Sequence, residues 1–114
     1  AVIVAKLMPR VDVPLIAGPP ALSAATAMLA QLQAGAVDRT TLGDDYSAYL
    51  TPALLAGARH TLAGPITGLT LARTAERGGM EVTAFRFALG ARPAQALMYR
   101  TPDGKIQEFA ISVP

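Results

Sequence analysis

The alternation of apolar and polar residues between positions 66 and 114 predicts four antiparallel strands. Alternate residues place bulky, mainly apolar side chains on one face of the predicted sheet. This face is expected to contain Thr83, Phe85, Phe87, Leu89, Leu97, Phe109 and Ile111. Arg86 and Arg100 are expected together on the opposite face, which is small or charged. One apolar face and one polar face are typical of an antiparallel sheet that helices cover on one side.

Three turns separate the predicted strands. The pair Gly78-Gly79 can adopt positive φ at both positions, which predicts a two-residue hairpin that joins residues 69–77 to residues 80–89. The segment 90–93 is a second break, because Pro93 lacks the N–H that the middle of a strand needs. The segment 101–105, Thr-Pro-Asp-Gly-Lys, combines the preset φ of proline with a glycine suited to a left-handed position, and predicts the last turn.

Before the strands, the apolar spacing becomes that of helices. Residues 22–33 are predicted to form a helix that Gly35 ends, with a stripe of Ala25, Met28, Leu29 and Leu32. The segment 38–50 is expected to be a short helix or helical turn, capped by Thr40 or Thr41. Its apolar side is expected to consist of Leu42, Tyr46, Tyr49 and Leu50.

Thr51-Pro52 predicts the start of a further helix, because threonine is a favoured N-cap and proline a favoured first helical residue. This helix is expected over residues 53–63, ending at Gly64-Pro65, with Leu55, Ala58 and Leu62 towards the sheet. No β-α-β alternation occurs, which excludes a parallel sheet. The predicted fold is therefore α+β, with N-terminal helices packed on one face of a curved four-stranded antiparallel sheet.

Residues 1–20 are expected to be an extended linker or the remnant of a preceding domain, and residues 21–114 the folded domain. Pro14, Pro19 and Pro20 exclude a helix over the second half of this stretch. A strap that lies on the core of the same domain is the alternative. The apolar start at Ala1, without a methionine, predicts a mature or excised piece of a longer protein.

Composition excludes several classes of function. The chain is 52% hydrophobic and 16% charged, as in packed globular domains, and no apolar run is long enough to span a bilayer. The net charge of +2 comes from interleaved bases and acids, so we expect no nucleic-acid binding. The chain has no cysteine, which excludes disulfides and thiolate metal sites. This leaves the compartment open, with a periplasmic or secreted location favoured over a cytoplasmic one.

A family resemblance is carried by the segment 46–55, which reads Tyr-x-x-Tyr-Leu-Thr-Pro-x-Leu-Leu, together with the leading helix and the Gly-Gly hairpin. The arrangement resembles small NTF2-like (cystatin-like) domains, in particular those found as C-terminal appendages of bacterial beta-lactamase-like serine hydrolases and peptidases. The resemblance covers about residues 20–114. It implies a sheet bent round a helix into a cone, which in some members, such as ketosteroid isomerases, holds a ligand or an acid–base pair.

Those catalytic members need a carboxylate on the inner strand faces. Here Phe85, Phe87, Leu97, Phe109 and Ile111 are expected at such positions, which leaves no base in reach of a substrate. No catalytic residue, cofactor or metal ligand is therefore predicted. Asp44-Asp45 lacks the further oxygen ligands of a calcium loop and is interpreted as N-terminal helix charge. The serines lack the context of a nucleophile.

Five residues are candidates for ligand binding, namely Tyr46, Tyr49, His60, Arg86 and Arg100. The tyrosines are spaced to line a pocket mouth, although such a pair is more often core with solvated hydroxyls. His60 is the only histidine and is more simply a helix C-terminal residue. The two arginines are predicted either to clamp an anion or to pair with glutamates such as Glu81 across the sheet.

Three functions remain open. The first is a non-catalytic accessory or interaction domain of a larger bacterial hydrolase, which packs against its parent catalytic domain or a second copy of itself. The second is a stand-alone NTF2-like domain of the binding or isomerase type, with a small apolar ligand in a cone-shaped pocket. The third is simple dimerisation through an exposed sheet face.

Overall fold

The computed structural model describes residues 12–114, which form three α-helices followed by a four-stranded sheet. The helices are α1 (Ala21–Ala34), α2 (Asp44–Tyr49) and α3 (Pro52–Thr61), with a 3-10 turn at Arg39–Thr41. The strands are β1 (Ile66–Arg77), β2 (Met80–Leu89), β3 (Arg92–Arg100) and β4 (Ile106–Ser112). The sheet is antiparallel in the order β1-β2-β3-β4. This confirms the predicted α+β class, with helices before the strands and packed on one face.

The predicted helix signals hold for α1 and α3. Gly35 ends α1 with a φ of 74°, and the whole predicted stripe of α1 is buried. At α3, the Thr51 hydroxyl accepts a hydrogen bond from the Leu54 N–H at 3.3 Å, and Pro52 is the first helical residue. Both ends therefore follow from local chemistry that the sequence displays.

The segment before α2 differs from its prediction. Asp38, rather than a threonine, caps the 3-10 turn by accepting a hydrogen bond from the Thr40 N–H at 3.0 Å. Because this turn interrupts the helix, α2 begins only after Gly43 and has no side-chain cap. A Cβ at Gly43 would collide with the end of the flexible Gln107 side chain, so the present position of that side chain depends on this glycine. Tyr49, expected to be buried, is 61% exposed.

The inner face of the sheet holds the core, with one correction to the predicted face of β3. Leu97 lies opposite Ala84 and Ala110 on the outer face, whereas Ala94, Ala96 and Met98 of β3 are buried. The expectation that Leu97 belongs to the inner face is therefore wrong. Ala94 and Ala96 stand directly opposite Phe87 and Phe85, so small side chains of β3 make room for the large ones of β2.

The two outer edges of the sheet differ in their contacts and in the regularity of their pairing. At the β4 edge, the Gly43 N–H donates to the Ile106 carbonyl at 2.8 Å, so α2 is attached to the start of the strand. At the β1 edge, the register is irregular between Thr67 and Thr70 and again between Leu71 and Arg73. Such bulges interrupt the regular ladder that a neighbouring strand would need.

Residues 12–20 have no helix or strand, as the prolines predict, and Ala17 and Pro19 contact the end of the sheet. The Ala17 N–H donates to the Pro102 carbonyl at 2.9 Å, in the turn between β3 and β4. Residues 17–19 therefore lie as a strap on this domain. The start of the predicted linker lies outside the described residues, and its connection to another domain stays a prediction.

Candidate interaction groove

A groove of about 560 Å³ lies between β4 on one side and helices α2 and α3 on the other. We call it the β4 groove and define it by six residues of its lining, Tyr46, Tyr49, Leu54, Glu108, Phe109 and Ile111. Tyr49 is 61% exposed and Leu54 is 40% exposed. Two large apolar side chains therefore face solvent at the same place, next to the edge of the sheet.

Tyr46 and Tyr49 are the two predicted site residues that the structure brings together. They lie three residues apart on α2 and stack with ring centroids 6.2 Å apart and an interplanar angle of 17°. Tyr46 is buried, and its hydroxyl donates to the Phe109 carbonyl at 3.2 Å. Tyr46 thus anchors α2 to β4, while Tyr49 forms the open wall of the groove.

Burial raises the pKa of Tyr46. The loss of solvent around its hydroxyl raises the pKa of Tyr46 to about 12, against the opposing effect of its hydrogen bond to Phe109. The negative charge of Glu108 raises this pKa further. The phenol is neutral at physiological pH even at its ordinary pKa of 10, and burial extends this neutral, hydrogen-bond-donating state to higher pH.

The backbone of β4 is open along the groove. Because the Phe109 carbonyl receives the Tyr46 hydroxyl, it points away from β3. Alternate residues of an antiparallel strand point their backbone groups to the same side, so the N–H and C=O of Ile111 also point away from β3. No backbone group within residues 12–114 pairs with them across this edge. The groove therefore offers unpaired main-chain donors and acceptors.

The charged side chains of the groove are acidic. Asp45 of α2 and Glu108 of β4 line it, and both are exposed. Among residues 12–114 the only ion pair joins Arg100 to Glu81, so neither groove carboxylate is neutralised by a neighbouring base. The groove thus presents apolar walls, an open strand edge and negative charge.

Arg86 and Arg100 lie on opposite faces of the sheet, which corrects the prediction that they share one. Arg86 is exposed on the outer face, opposite Gln95. Arg100 is only 2% exposed, on the inner face opposite Glu81, to which its Nε donates at 2.8 Å. The alternative of a cross-strand pair with Glu81 is the arrangement observed. Arg100 lies an even number of residues from Met98, so both share one face of β3, and the structure shows this face to be the inner one.

Arg100 also lines a second cavity, of about 260 Å³, between the strap and α1. Its Nη1 donates to the Pro19 carbonyl at 2.8 Å, which fixes the strap to the sheet. Met28, Ile106 and Lys105 contribute to the same lining. The sequence did not reveal this cavity, because the strap that walls it has no periodic pattern.

His60 lies apart from both cavities. It is exposed in the last turn of α3, as expected for a helix C-terminal histidine, and it lines a separate depression with Gln33 and Leu62. Within residues 12–114, histidine and carboxylate side chains form no group of three or more that could hold a metal ion. The five candidate residues therefore occupy four different environments, and only the tyrosines share one.

Comparison with known proteins identifies no relative. No protein-family model, no curated protein and no solved structure matches the chain. The similarity to NTF2-like domains stays a prediction from the residues that carry it. Among the described residues, the helices are all too short or too polar to cross a membrane.

Proposed function

We propose that this chain is a non-catalytic accessory domain, the C-terminal part of a larger bacterial hydrolase of the beta-lactamase-like or peptidase kind. Its partner is the parent catalytic domain or a second copy of the chain. The association with a hydrolase rests on the resemblance of the segment 46–55 and the Gly-Gly hairpin to NTF2-like appendages. The interaction role rests on the β4 groove.

The distribution of large apolar side chains is the observation that carries the proposal. Inside, the layer between sheet and helices is filled by buried side chains, including Phe85, Met98 and Met28. Outside, Tyr49 and Leu54 are exposed beside an open strand edge. An exposed apolar patch next to unpaired backbone favours a protein partner, whereas a filled interior leaves little room for a substrate.

The chemistry of the groove also supports a binding role over a catalytic one. A general base works best when its pKa is near the operating pH, and a nucleophile needs a base to activate it. The pKa of Tyr46, at about 12, is far above that range. Asp45 and Glu108 face solvent, and the groove is open rather than closed over them.

The small-molecule alternative gains no support from the geometry. It requires Tyr46, Tyr49, His60 and Arg100 around one pocket, and these residues lie in three different places. Arg100 is engaged with Glu81 and Pro19.

The parent gene provides the decisive test. We expect the genomic sequence around this chain to encode a hydrolase domain upstream of it. In the full-length protein, hydrogen exchange at the amides of Phe109 and Ile111 should be slower than in the isolated chain. A gene without a hydrolase domain would exclude the hydrolase association, and unchanged exchange would exclude docking at the groove.

A matched pair of substitutions controls for unrelated effects. Leu54→Glu places a charge in the groove, whereas Leu71→Glu places one on the similarly exposed side chain of β1, outside the groove. We expect only Leu54→Glu to abolish the slower exchange. The isolated chain should also show no turnover of simple esters, epoxides or ketosteroids, and turnover above the uncatalysed rate would overturn the proposal.

A further inference from the structure

We infer that the β4 groove binds an extended peptide segment of alternating apolar and basic residues, which adds to β4 as a fifth strand. This inference rests on the proposed role as an interaction domain and names the chemistry of its partner. It depends on three features of the groove, namely its backbone, its inner wall and its acidic side chains.

The backbone of β4 fixes the binding mode. The N–H of Phe109 and both backbone groups of Ile111 point away from β3 and lack backbone partners across this edge. A strand laid beside them pairs with these groups, as in other cases of strand addition to a sheet edge. The regular stretch from Glu108 to Ser112 is about 13 Å long at the usual rise per residue, so it accommodates about five peptide residues.

The other edge of the sheet, β1, is less suited to pairing with an added strand. β1 is longer, but its ladder is irregular between Thr67 and Thr70 and between Leu71 and Arg73. A partner strand along the whole of β1 would meet both irregularities, so a regular template on this edge is confined to Arg73–Arg77. β4 has regular pairing with β3 over a comparable length, from Gln95–Ser112 to Tyr99–Glu108, and it also lies beside the apolar walls of the groove, which favours β4 as the template.

The two faces of the sheet explain why apolar and basic residues should alternate along the peptide. Side chains of an added strand point by turns to the inner and the outer face. On the inner face, towards the helices, they meet the apolar walls formed by Tyr49 and Leu54. On the outer face they lie beside Glu108, which stands opposite Tyr99 in the register and is exposed. Apolar residues therefore suit the inner positions and basic residues the outer ones.

Charge complementarity sets the sign of the partner. Asp45 and Glu108 line the groove, and no basic side chain lines it. Neither carboxylate belongs to the single ion pair of the described residues. A lysine or arginine directly across from Glu108 is stabilised as an opposite-charge cross-strand pair, whereas a glutamate there is repelled.

The test uses a fluorescein-labelled octapeptide of alternating lysine and valine. Its binding to the isolated protein chain is measured by fluorescence anisotropy. We expect saturable binding, and a peptide of alternating glutamate and valine should bind at least about tenfold more weakly. Methylation of the peptide nitrogens that face β4 should weaken binding by about two- to tenfold per methyl group, whereas methylation of the other nitrogens should not.

Variants of the protein locate the site. Leu54→Glu should weaken binding by about tenfold or more, and Leu71→Glu should leave it within about twofold. Glu108→Gln should weaken binding of the lysine peptide by about two- to fivefold, whereas Glu76→Gln, in the β1–β2 hairpin, should have no effect. In a nitrogen-15 spectrum, the amides of Phe109 and Ile111 should shift on binding.

Three results would each overturn the inference. They are equal binding of the two sets of methylated peptides, binding that Leu54→Glu leaves intact, and no binding of the lysine peptide up to about 1 mM. In all three cases the proposed function survives if the full-length hydrolase still protects the groove amides. Conversely, a gene without a hydrolase domain leaves the peptide measurements unaffected, so the two failures are distinguishable.

Discussion

The buried pair between Arg100 and Glu81 allows a sharp prediction about stability. In Arg100→Met the guanidinium is lost, while the side-chain volume and apolar stem are largely kept. Glu81 then retains a carboxylate in a site where its side chain is only 12% exposed. The Pro19 carbonyl also loses its donor at 2.8 Å. The substitution therefore removes one ion pair and one strap contact together.

The magnitude follows from the burial of both partners. Removal of one member of a buried ion pair costs about 3–5 kcal/mol, because the remaining charge lacks compensation. For a domain of about 100 residues, 1 kcal/mol corresponds to roughly 4–8 °C in the unfolding midpoint, so Arg100→Met should lower it by at least about 12 °C. The double variant Arg100→Met with Glu81→Leu should recover most of this loss, since it leaves no charge behind.

Urea unfolding followed by circular dichroism measures these differences. Arg86→Met is the matched control, because Arg86 is also within a strand but is exposed on the outer face. It should change the free energy of unfolding by no more than about 0.5 kcal/mol. A loss below about 1 kcal/mol in Arg100→Met, or a double variant less stable than Arg100→Met, would refute the role assigned to the pair.

Three further predictions concern other positions. Gly104→Ala should destabilise the fold by about 1–3 kcal/mol, because the φ of Gly104 is 87° and the new Cβ would lie 2.5 Å from the Ala17 carbonyl oxygen. Gly57→Ala should instead stabilise the fold by about 0.5–1 kcal/mol, because Gly57 lies within α3 with open space around it. Urea unfolding measures both changes. Tyr46 has a pKa of about 12 in the folded protein and near 10 in the unfolded chain, so its contribution to stability should be present below pH 10 and disappear as the pH rises to about 12. Absorbance titration should show a late-titrating phenol that Tyr46→Phe removes. A titration curve that Tyr46→Phe leaves without any loss at high pH would contradict this. The hydroxyl of Thr83 is buried and has no hydrogen-bond partner among residues 12–114, so Thr83→Val should be neutral or stabilising by about 1 kcal/mol in the same unfolding assay, and a clear loss of stability would contradict this.

The order of elements was predictable because its signals are local. Thr51, Pro52 and Gly35 mark helix ends through their own backbone and side-chain preferences. Gly78 and Gly79 both have positive φ and form the predicted hairpin between Arg77 and Met80. Each of these features depends on a few neighbouring residues, so the sequence alone specifies it.

The faces of β3 were harder to predict because they depend on packing between strands. Leu97 is more hydrophobic than Ala96, yet Ala96 is buried because Phe85 occupies the space opposite it. Arg100 is buried because Glu81 and Pro19 compensate its charge and hydrogen bonds. Such compensation involves residues distant in the chain, which the apolar pattern of one strand does not contain.

The candidate groove was predictable only in part. The spacing of Tyr46 and Tyr49 indicated a shared surface, and the structure places both in the groove. The open backbone at Ile111 and the exposure of Leu54 required the positions of α2 and α3 relative to β4. The position of α2 depends in turn on hydrogen bonds between residues distant in the chain, from the Gly43 N–H to the Ile106 carbonyl and from the Tyr46 hydroxyl to the Phe109 carbonyl.

The unequal edges of the sheet have a consequence for solubility. Proteins with two regular edge strands can polymerise end to end, since one edge of each copy can pair with the opposite edge of the next copy. The irregularities of β1 leave a regular edge only over Arg73–Arg77 of the described domain, so pairing of β4 with the β1 of another molecule is restricted to that short stretch. A peptide strand added at β4 occupies this edge, so it blocks end-to-end assembly through β4.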